Sequence, residues 1–527
     1  MKKLTALILV LLMLLGIFAG CSDSSSGTGD TDKKPDFDKP TNAVDIADST
    51  TPAQNETTAP IIDTNKLEND DLRYVMIYNP NIYDEDDFSS FYGLGTGDIS
   101  AQINVDDFRG GLDGEDSITV LNPTPAEILE SMNLEMVKPE LNRAEIVIPE
   151  YKAGDKKVFY TFTDAQEYQR EEKEFECLYK GEHCYVWSAD KTFDKTDATK
   201  YGTEFDTKIY DALTESFDTP RFAKEGGKVH LMFTPLYWNR ISGTYTGGVS
   251  YTFDSYATGE ISDAKHAEYL NNFNHDIVTI NSAVIDYIDP KEAFSTIAHE
   301  IQHLILISHS YANGHNIQNK TWINEVMSGY IEGYLYADIV DAKKYNFYET
   351  SNQIRYGQSL YNFHCNTDIG PYGSVYLFAQ YLTNSAGADV FSKYHDLWAM
   401  NYGTYLTDAE SLSASVSTEG YAKADNLITY PDTISFNSED EEWLSKLTLD
   451  FYLTTLRRDG TEPANFANFE PSALLYDQTL SATIEGGGRI IVEANDTCFE
   501  IPEDADNGLV YVGMDKDFNV VTDFVIS

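Results

Sequence analysis

Two histidines four residues apart within one apolar segment constrain this chain more than any other feature. The segment His299-Glu300-Ile301-Gln302-His303 lies in a mostly apolar run from Ala293 to Ile307. Positions i and i+4 share one face of a helix, so both imidazoles can hold a single metal ion. Burying two histidines and a glutamate is costly unless a metal or hydrogen bonds satisfy them. The sequence therefore predicts a buried helix that carries a metal site.

The residues before this segment mark the start of the helix. Asp289 is the predicted N-cap, Pro290 is at the first helical position, and Glu292 completes a capping box. Glu300 is about 100° round the helix axis from His299, where it can reach a water molecule beside the metal. This spacing is the signature of zinc peptidases, in which the glutamate is the general base.

Catalytic zinc usually takes three protein ligands, and two residues compete for the third position. His309 has the spacing of the longer motif HExxHxxGxxH, but this chain has Leu306 where that motif needs glycine. His309 is therefore predicted at or just beyond the helix end. Glu325 follows a polar stretch with the turn signal Asn313-Gly314, and a second helix opening at Thr321 would bring it back against the first.

Three segments carry a resemblance to known zinc peptidases. They are Ile297 to Ile305, Trp322-Ile323-Asn324-Glu325, and Gly181 to Trp187. The chain resembles the gluzincins, and more narrowly the hyicolysin-type bacterial metallopeptidases, from about residue 155 to 400. The resemblance implies that Glu325 is the third zinc ligand, beside the two histidines of the motif.

One position departs from the thermolysin-like gluzincins. Their NExxSD motif ends in an aspartate that orients a zinc-binding histidine, whereas here Ser328 is followed by Gly329. Such a partner normally fixes the histidine tautomer, and Glu332 is the predicted substitute. Related enzymes also use a tyrosine or histidine to stabilise the oxyanion. Tyr372 and His364 are the two candidates, and the sequence does not choose between them.

The amino terminus predicts export and a lipid anchor. Met1-Lys2-Lys3 precedes an apolar run from Leu4 to Phe18, and then comes Ala19-Gly20-Cys21, which resembles a bacterial lipobox. Residues 1–20 are the predicted signal peptide. Lipidated Cys21 would tether the protein to the membrane at the bacterial cell surface. The alternatives are ordinary secretory cleavage and an uncleaved anchor.

The remaining chain is predicted to contain a tether and three folded parts. Residues 21–68 are rich in Ser, Thr, Asp and Pro, a composition typical of disorder. A β-rich N-terminal module covers 69–155, the zinc metallopeptidase domain 156–465, and a C-terminal β module 466–527. The predicted fold class is α+β: a zincin-like (gluzincin) catalytic domain with a β-rich N-terminal half and a helical C-terminal half, flanked by small β-rich modules.

Within the catalytic domain, the hydrophobic pattern predicts several elements. Lys228 to Thr234 and Asp276 to Ile280 are predicted strands, and Gly373 to Leu382 and Glu441 to Leu456 are predicted helices. Gly247 to Tyr251 is a candidate edge strand near the cleft, to which an extended peptide can add. Its glycines are equally typical of a hairpin.

The net charge of the chain limits the partners that it can bind. The net charge of −49 argues against nucleic acid, because binding it needs basic patches. A protein or peptide substrate is the predicted partner. The clusters Asp84-Glu85-Asp86-Asp87 and Asp113-Gly114-Glu115-Asp116 are candidates for Ca²⁺, though neither fits an EF-hand loop.

Four cysteines remain after Cys21. Cys177 and Cys184 flank a predicted turn, so this pair is expected to be able to close a small hairpin disulfide. Cys365 and Cys498 are distant in sequence, and four cysteines allow three connectivities.

These features predict zinc-dependent peptide hydrolysis, with His299, His303 and Glu325 as metal ligands and Glu300 as general base. The same geometry can hydrolyse other amides or esters. A catalytically silent surface adhesin on the same scaffold is the non-enzymatic alternative, and the four intact residues argue against it. No GxMEN motif precedes His299, which favours an endopeptidase over an aminopeptidase. The sequence gives no oligomeric state.

Overall fold

The computed structural model describes most of the chain from residue 66 onward. The described residues are 66–80, 82, 100–103, 147–164, 169–236, 238, 245–250, 274–312, 321–361, 363, 370–399, 412–413, 415–416, 436, 439–458, 466, 469–476, 482–494, 498–501, 508–522 and 525–526. All belong to one unit, Ala59–Ser527. The predicted signal peptide, Cys21, the tether before residue 66, both acidic clusters, His364 and Cys365 lie outside the described residues.

Strands predominate before residue 190, helices and strands are mixed from 195 to 281, helices predominate from 290 to 456, and strands return after residue 481. The strands are β1 (Lys66–Glu68), β2 (Tyr74–Tyr78), β3 (Ser100–Ile103), β4 (Lys156–Asp164), β5 (Gln169–Lys180), β6 (Cys184–Ser188), β7 (Val229–Thr234), β8 (Gly248–Val249), β9 (Asp276–Asn281), β10 (Ala482–Glu485), β11 (Arg489–Glu493), β12 (Cys498–Glu500), β13 (Val510–Met514) and β14 (Val525–Ile526). The helices are α1 (Lys195–Glu204), α2 (Tyr210–Phe217), α3 (Arg221–Lys224), α4 (Pro290–Ala312), α5 (Thr321–Thr350), α6 (Asn352–Arg355), α7 (Gly370–Ala386), α8 (Val390–Trp398) and α9 (Glu439–Leu456). This mixture is consistent with the predicted α+β class.

A six-stranded sheet supports the site, in the order β4-β5-β6-β7-β9-β8. Strands β6, β7 and β9 are parallel, and β4, β5 and β8 pair antiparallel with their neighbours. Central parallel strands are buried on both faces, and every residue of β7 and of β9 is buried. Both strands predicted from the sequence here are confirmed.

The predicted edge strand is present as β8, which pairs with β9 at the end of the described sheet. A Cβ atom on Gly248 would lie 2.7 Å from Cγ of Glu300 and 3.0 Å from Cγ2 of Thr296. Only glycine therefore lets this strand lie so close to α4. Close approach to the helix, rather than a hairpin turn, explains Gly248.

Helix α4 begins where the sequence predicts. The side chain of Asp289 accepts the backbone N–H of Lys291 at 2.8 Å, as an N-cap does. The predicted helices within α7 and α9 are confirmed and extend beyond their predicted bounds. Helix α5 is kinked at Tyr336, whose φ of −139° is not helical. In the described part of the chain, no helix has the length and apolar character needed to cross a membrane.

The strands before and after the catalytic part pair with one another. Strand β2 lies between β11 and β13 in the sheet β11-β2-β13-β14, β1 pairs with β12, and β3 pairs with β10. The structure thus differs from two separate flanking modules, and the last three residues of the predicted tether form β1. Four of the five residues of β2 are buried, and only distant strands cover both of its edges.

The predicted hairpin disulfide between Cys177 and Cys184 is wrong, because both thiols are free and buried. Cys177 packs with Phe159 and Trp187 in one apolar cluster, whereas Cys184 belongs to the main core that contains the helices. The two side chains therefore point to opposite faces of the sheet, and a disulfide cannot form across it. Cys498 is also free.

Candidate metal centre

Three side chains from two helices converge at one point. His299 and His303 of α4 and Glu325 of α5 each present a ligand atom, and these atoms lie within 4.8 Å of one another. Nε2 of His299 is 3.3 Å from Oε2 of Glu325, and Nε2 of His303 is 3.4 Å from Oε1. Two imidazoles and one carboxylate are a donor set of catalytic zinc sites, which leave a further position open.

One oxygen atom tests whether these residues fit a metal ion. Among the described residues, Oε2 of Glu325 is buried and has no donor near it other than Nε2 of His299 at 3.3 Å, a nitrogen that carries no proton when it binds a metal. A buried carboxylate oxygen without a hydrogen-bond donor is costly. A cation between the three side chains would satisfy it, and the mixed nitrogen and oxygen donors suit zinc. The residues present therefore fit zinc.

His299 has the acidic partner that the sequence predicts. Oε1 of Glu332 is 2.6 Å from Nδ1 of His299, and Oε2 of Glu332 is 2.8 Å from Nζ of Lys344. A metal-binding histidine usually donates its second N–H to a carboxylate, which fixes the tautomer. With Nδ1–H donating to Glu332, Nε2 of His299 keeps its lone pair for a metal.

His303 is held by a residue that sequence reasoning did not assign. Its Nδ1 is 3.1 Å from Oγ of Ser328. The hydroxyl proton of Ser328 has two possible acceptors, Oε1 of Gln302 at 2.5 Å and the carbonyl of Asn324 at 3.0 Å. The oxygen therefore accepts from Nδ1–H of His303. The sequence contains one signal for this contact: Ser328 follows Glu325 by three residues on the same helix, so the two side chains lie on the same face.

The electrostatics of the site favour a positive charge at its centre. Burial by itself lowers the pKa of His299, but the carboxylates of Glu325 and Glu332 outweigh it and raise that pKa to about 10. Burial raises the pKa of Glu325, yet His303 and His299 hold it below its usual value. Similarly, Lys344 and His299 overcome burial and lower the pKa of Glu332 to about 2.

Glu300 lies between the two histidines and faces β8. It is 8 % exposed, and the backbone N–H of Ser250 hydrogen-bonds to its carboxylate. Burial raises the pKa of Glu300, and Glu325 adds to the rise, while His299 and His303 oppose it. A raised pKa brings a carboxylate nearer to the value that suits both accepting and returning a proton at neutral pH.

Of the two candidates for the oxyanion donor, Tyr372 is brought to the site. Its ring centroid is 6.3 Å from that of His299, and Phe363 packs against it edge-on at 5.0 Å. Nζ of Lys344 lies 5.3 Å from the same ring centroid. His364 lies outside the described residues.

His309 does not join the centre. It lies in the last turn of α4, where Nδ1 is 2.9 Å from Nε2 of His395 and Nε2 is 2.8 Å from the carbonyl oxygen of Thr219. The structure therefore brings Glu325, and not His309, to His299 and His303.

Comparison with known proteins supports a metallopeptidase. The neutral metalloprotease ShpI of Staphylococcus hyicus is 26% identical over 248 residues, which are 46% of this chain and 54% of that protein. The chain thus spans about half the length of the curated relative it matches. No protein-family model matches the chain. This distant similarity to a metalloprotease agrees with the geometry of the three convergent side chains.

Proposed function

We propose that this protein is a zinc-dependent endopeptidase with a zincin-like (gluzincin) catalytic domain. His299, His303 and Glu325 are the zinc ligands, and Glu300 is the general base. One observation carries the proposal: the ligand atoms of the three side chains lie within 4.8 Å of one another.

The residues around the centre divide the chemistry between them. Zinc, when bound, supplies a Lewis acid that polarises the peptide carbonyl and lowers the pKa of water. The carboxylate of Glu300 takes a proton from the attacking water and passes it to the nitrogen of the leaving amine. The N–H of Ser250 holds that carboxylate in place. Tyr372 is the proposed oxyanion donor, since its ring lies beside His299.

The substrate is proposed to be a polypeptide bound in extended form. Strand β8 lies directly over Thr296 and Glu300 of α4. A peptide that pairs with the edge of this strand would carry its backbone past Glu300. The name of the relative, a neutral metalloprotease, agrees with a protein substrate.

The amino terminus supports a proposed location for the enzyme. The sequence around Cys21 supports signal cleavage before this residue and its lipidation, which would hold the enzyme at the bacterial cell surface. Wild type should incorporate labelled palmitate, and Cys21→Ala should not. Absence of label from wild type would reject the lipid anchor.

The test of the function is digestion of an unfolded protein by the soluble body, which starts at Ser22. Wild type should cut internal peptide bonds, and a zinc chelator should stop it. Glu300→Gln should bind zinc and cut about 10³-fold more slowly, whereas Glu215→Gln, at an exposed position in α2, should match wild type. A folded, zinc-loaded wild type that leaves every substrate intact would reject peptidase function in favour of a binding role.

A further inference from the structure

Arg489 is a buried cation without an anion. It opens β11, its exposed fraction is 1 %, and its backbone is paired with Tyr78 of β2. Nη2 donates to the hydroxyl of Tyr348 at 2.9 Å. Nε and Nη1 are buried and have no hydrogen-bond partner among the described residues. In the described part of the chain, the guanidinium forms no ion pair with a carboxylate.

Another deeply buried cation, Lys344, lies beside the metal centre and differs from Arg489 in having an acidic partner. Lys344 is paired with Glu332 at 2.8 Å. A lysine can also lose its proton when buried, but the guanidinium of arginine stays charged. Burying such a charge without a partner is strongly unfavourable. Arg489 therefore requires a source of negative charge.

Aromatic rings supply only part of that requirement. Cζ of Arg489 lies 5.2 Å from the ring centroid of Tyr452 and 5.9 Å from that of Tyr348. Cation–π contacts act on the charge of the guanidinium, but they give its in-plane N–H groups no acceptor. The hydroxyl of Tyr348 accepts from Arg489, so its own proton is a further donor. The cluster has more donors than acceptors.

We propose that Arg489 is the main ligand of an anion-binding site for a small monovalent anion of the chloride type. The Nε–H and Nη1–H groups of Arg489 and the hydroxyl of Tyr348 would hold the anion. A single negative charge matches the one guanidinium. Tyr348 is 0 % and Tyr452 is 2 % exposed, so the site suits a small ion rather than a phosphorylated molecule.

The site joins three parts of the fold. Arg489 is on β11, Tyr348 is near the end of α5, and Tyr452 is on α9. These elements come together only in the folded chain, so the anion binds the native state and stabilises it. Since α5 also carries Glu325, the anion holds the far end of the helix that supplies the third ligand of the metal centre.

Thermal unfolding of the full chain in detergent tests the proposal. The protein is kept zinc-free with a chelator, and sodium chloride replaces sodium gluconate at constant ionic strength. The Tm of wild type should rise by about 2 °C or more as chloride increases to a few hundred millimolar. Arg489→Met should lose this dependence. Arg73→Met, which removes an exposed arginine beside β2, should keep it.

A second measurement covers the case in which Arg489→Met does not fold. The ³⁵Cl line width of a chloride solution should broaden with wild type, and Tyr348→Phe should reduce the broadening by at least half. Equal Tm in chloride and gluconate for wild type, chloride dependence that survives in Arg489→Met, or broadening unchanged in Tyr348→Phe would overturn the site. None of these outcomes depends on peptidase activity.

Discussion

Helix α4 contributes histidines to two groups in the interior, and only one of them has the form of a metal site. His299 and His303 have ring centroids 4.5 Å apart, and further along the helix His309 packs against His395 at 5.1 Å. Burial and close imidazoles are common to both. The difference is that the carboxylate of Glu325 faces the first pair. The neighbouring carboxylate, rather than the number of imidazoles, distinguishes the metal centre.

The two groups consequently titrate in opposite directions. Glutamates raise the pKa of His299 to about 10, whereas burial, aided by Lys224, lowers the pKa of His309 to about 4. The carbonyl of Thr219 can only accept, so Nε2 of neutral His309 carries the proton and its Nδ1 accepts from His395. The second pair is thus a neutral hydrogen-bonded chain within the core.

The largest expected effect is on catalytic activity, which should depend on the group around His299 and not on the group around His309. Glu300→Gln should lower the rate of peptide cleavage by about 10³-fold, because it removes the general base. His309→Gln should change the rate by less than about twofold, because that side chain touches no reacting group. Initial rates on one unfolded substrate, with zinc content matched, measure both. A Glu300→Gln enzyme within tenfold of wild type would reject the assigned base.

The next effect concerns stability against pH. The folded pKa of His309 lies below its unfolded value of about 6.5, so the unfolded chain takes up the proton first as pH falls. Stability is therefore lost between about pH 6.5 and pH 4, by about 3 kcal/mol for His309. Denaturant unfolding at both ends of this range should show a loss in zinc-free wild type that is about 3 kcal/mol larger than the loss in His309→Gln. Equal losses in both proteins would contradict a neutral His309.

The smallest expected effect is on zinc affinity, and it acts through residues that contact the metal ligands rather than the metal. Lys344→Met leaves Glu332 without its ammonium partner, so Glu332 should hold His299 less firmly. Zinc affinity should fall by about 10- to 100-fold, as measured by competition with a chromophoric chelator. Lys343→Met is the matched control, because Lys343 pairs with Glu292 instead. An affinity equal to that of the control would show that Lys344 does not support the centre.

Local patterns were enough to bring together the residues of the candidate metal centre, because these residues lie on two consecutive helices. The spacing of His299 and His303 and the turn before Glu325 placed three side chains together, and Glu332 followed from helical spacing. Lys344 was not found, because its contact with Glu332 crosses the kink at Tyr336, which has no marker in the sequence.

Features that depend on the pairing of strands distant in sequence could not be predicted from local sequence patterns. The two cysteines near the β5–β6 turn looked suited to a disulfide, but which face each occupies depends on strand register, and the pairing shifts between Cys177 and Tyr179. Strand β2 pairs with β11 and β13, more than 400 residues away in sequence. Local periodicity carries no information on such partners. The buried position of Arg489 follows from this same pairing.

We expect zinc to bind at the group that contains Glu325 and not at His309 and His395. The most direct test is zinc content after gel filtration, with X-ray absorption of the bound zinc, for wild type, Glu325→Gln and His395→Gln. We expect wild type and His395→Gln each to bind one zinc per chain through nitrogen and oxygen ligands. Glu325→Gln should lose the zinc. Zinc retained in Glu325→Gln but lost in His395→Gln would contradict this expectation.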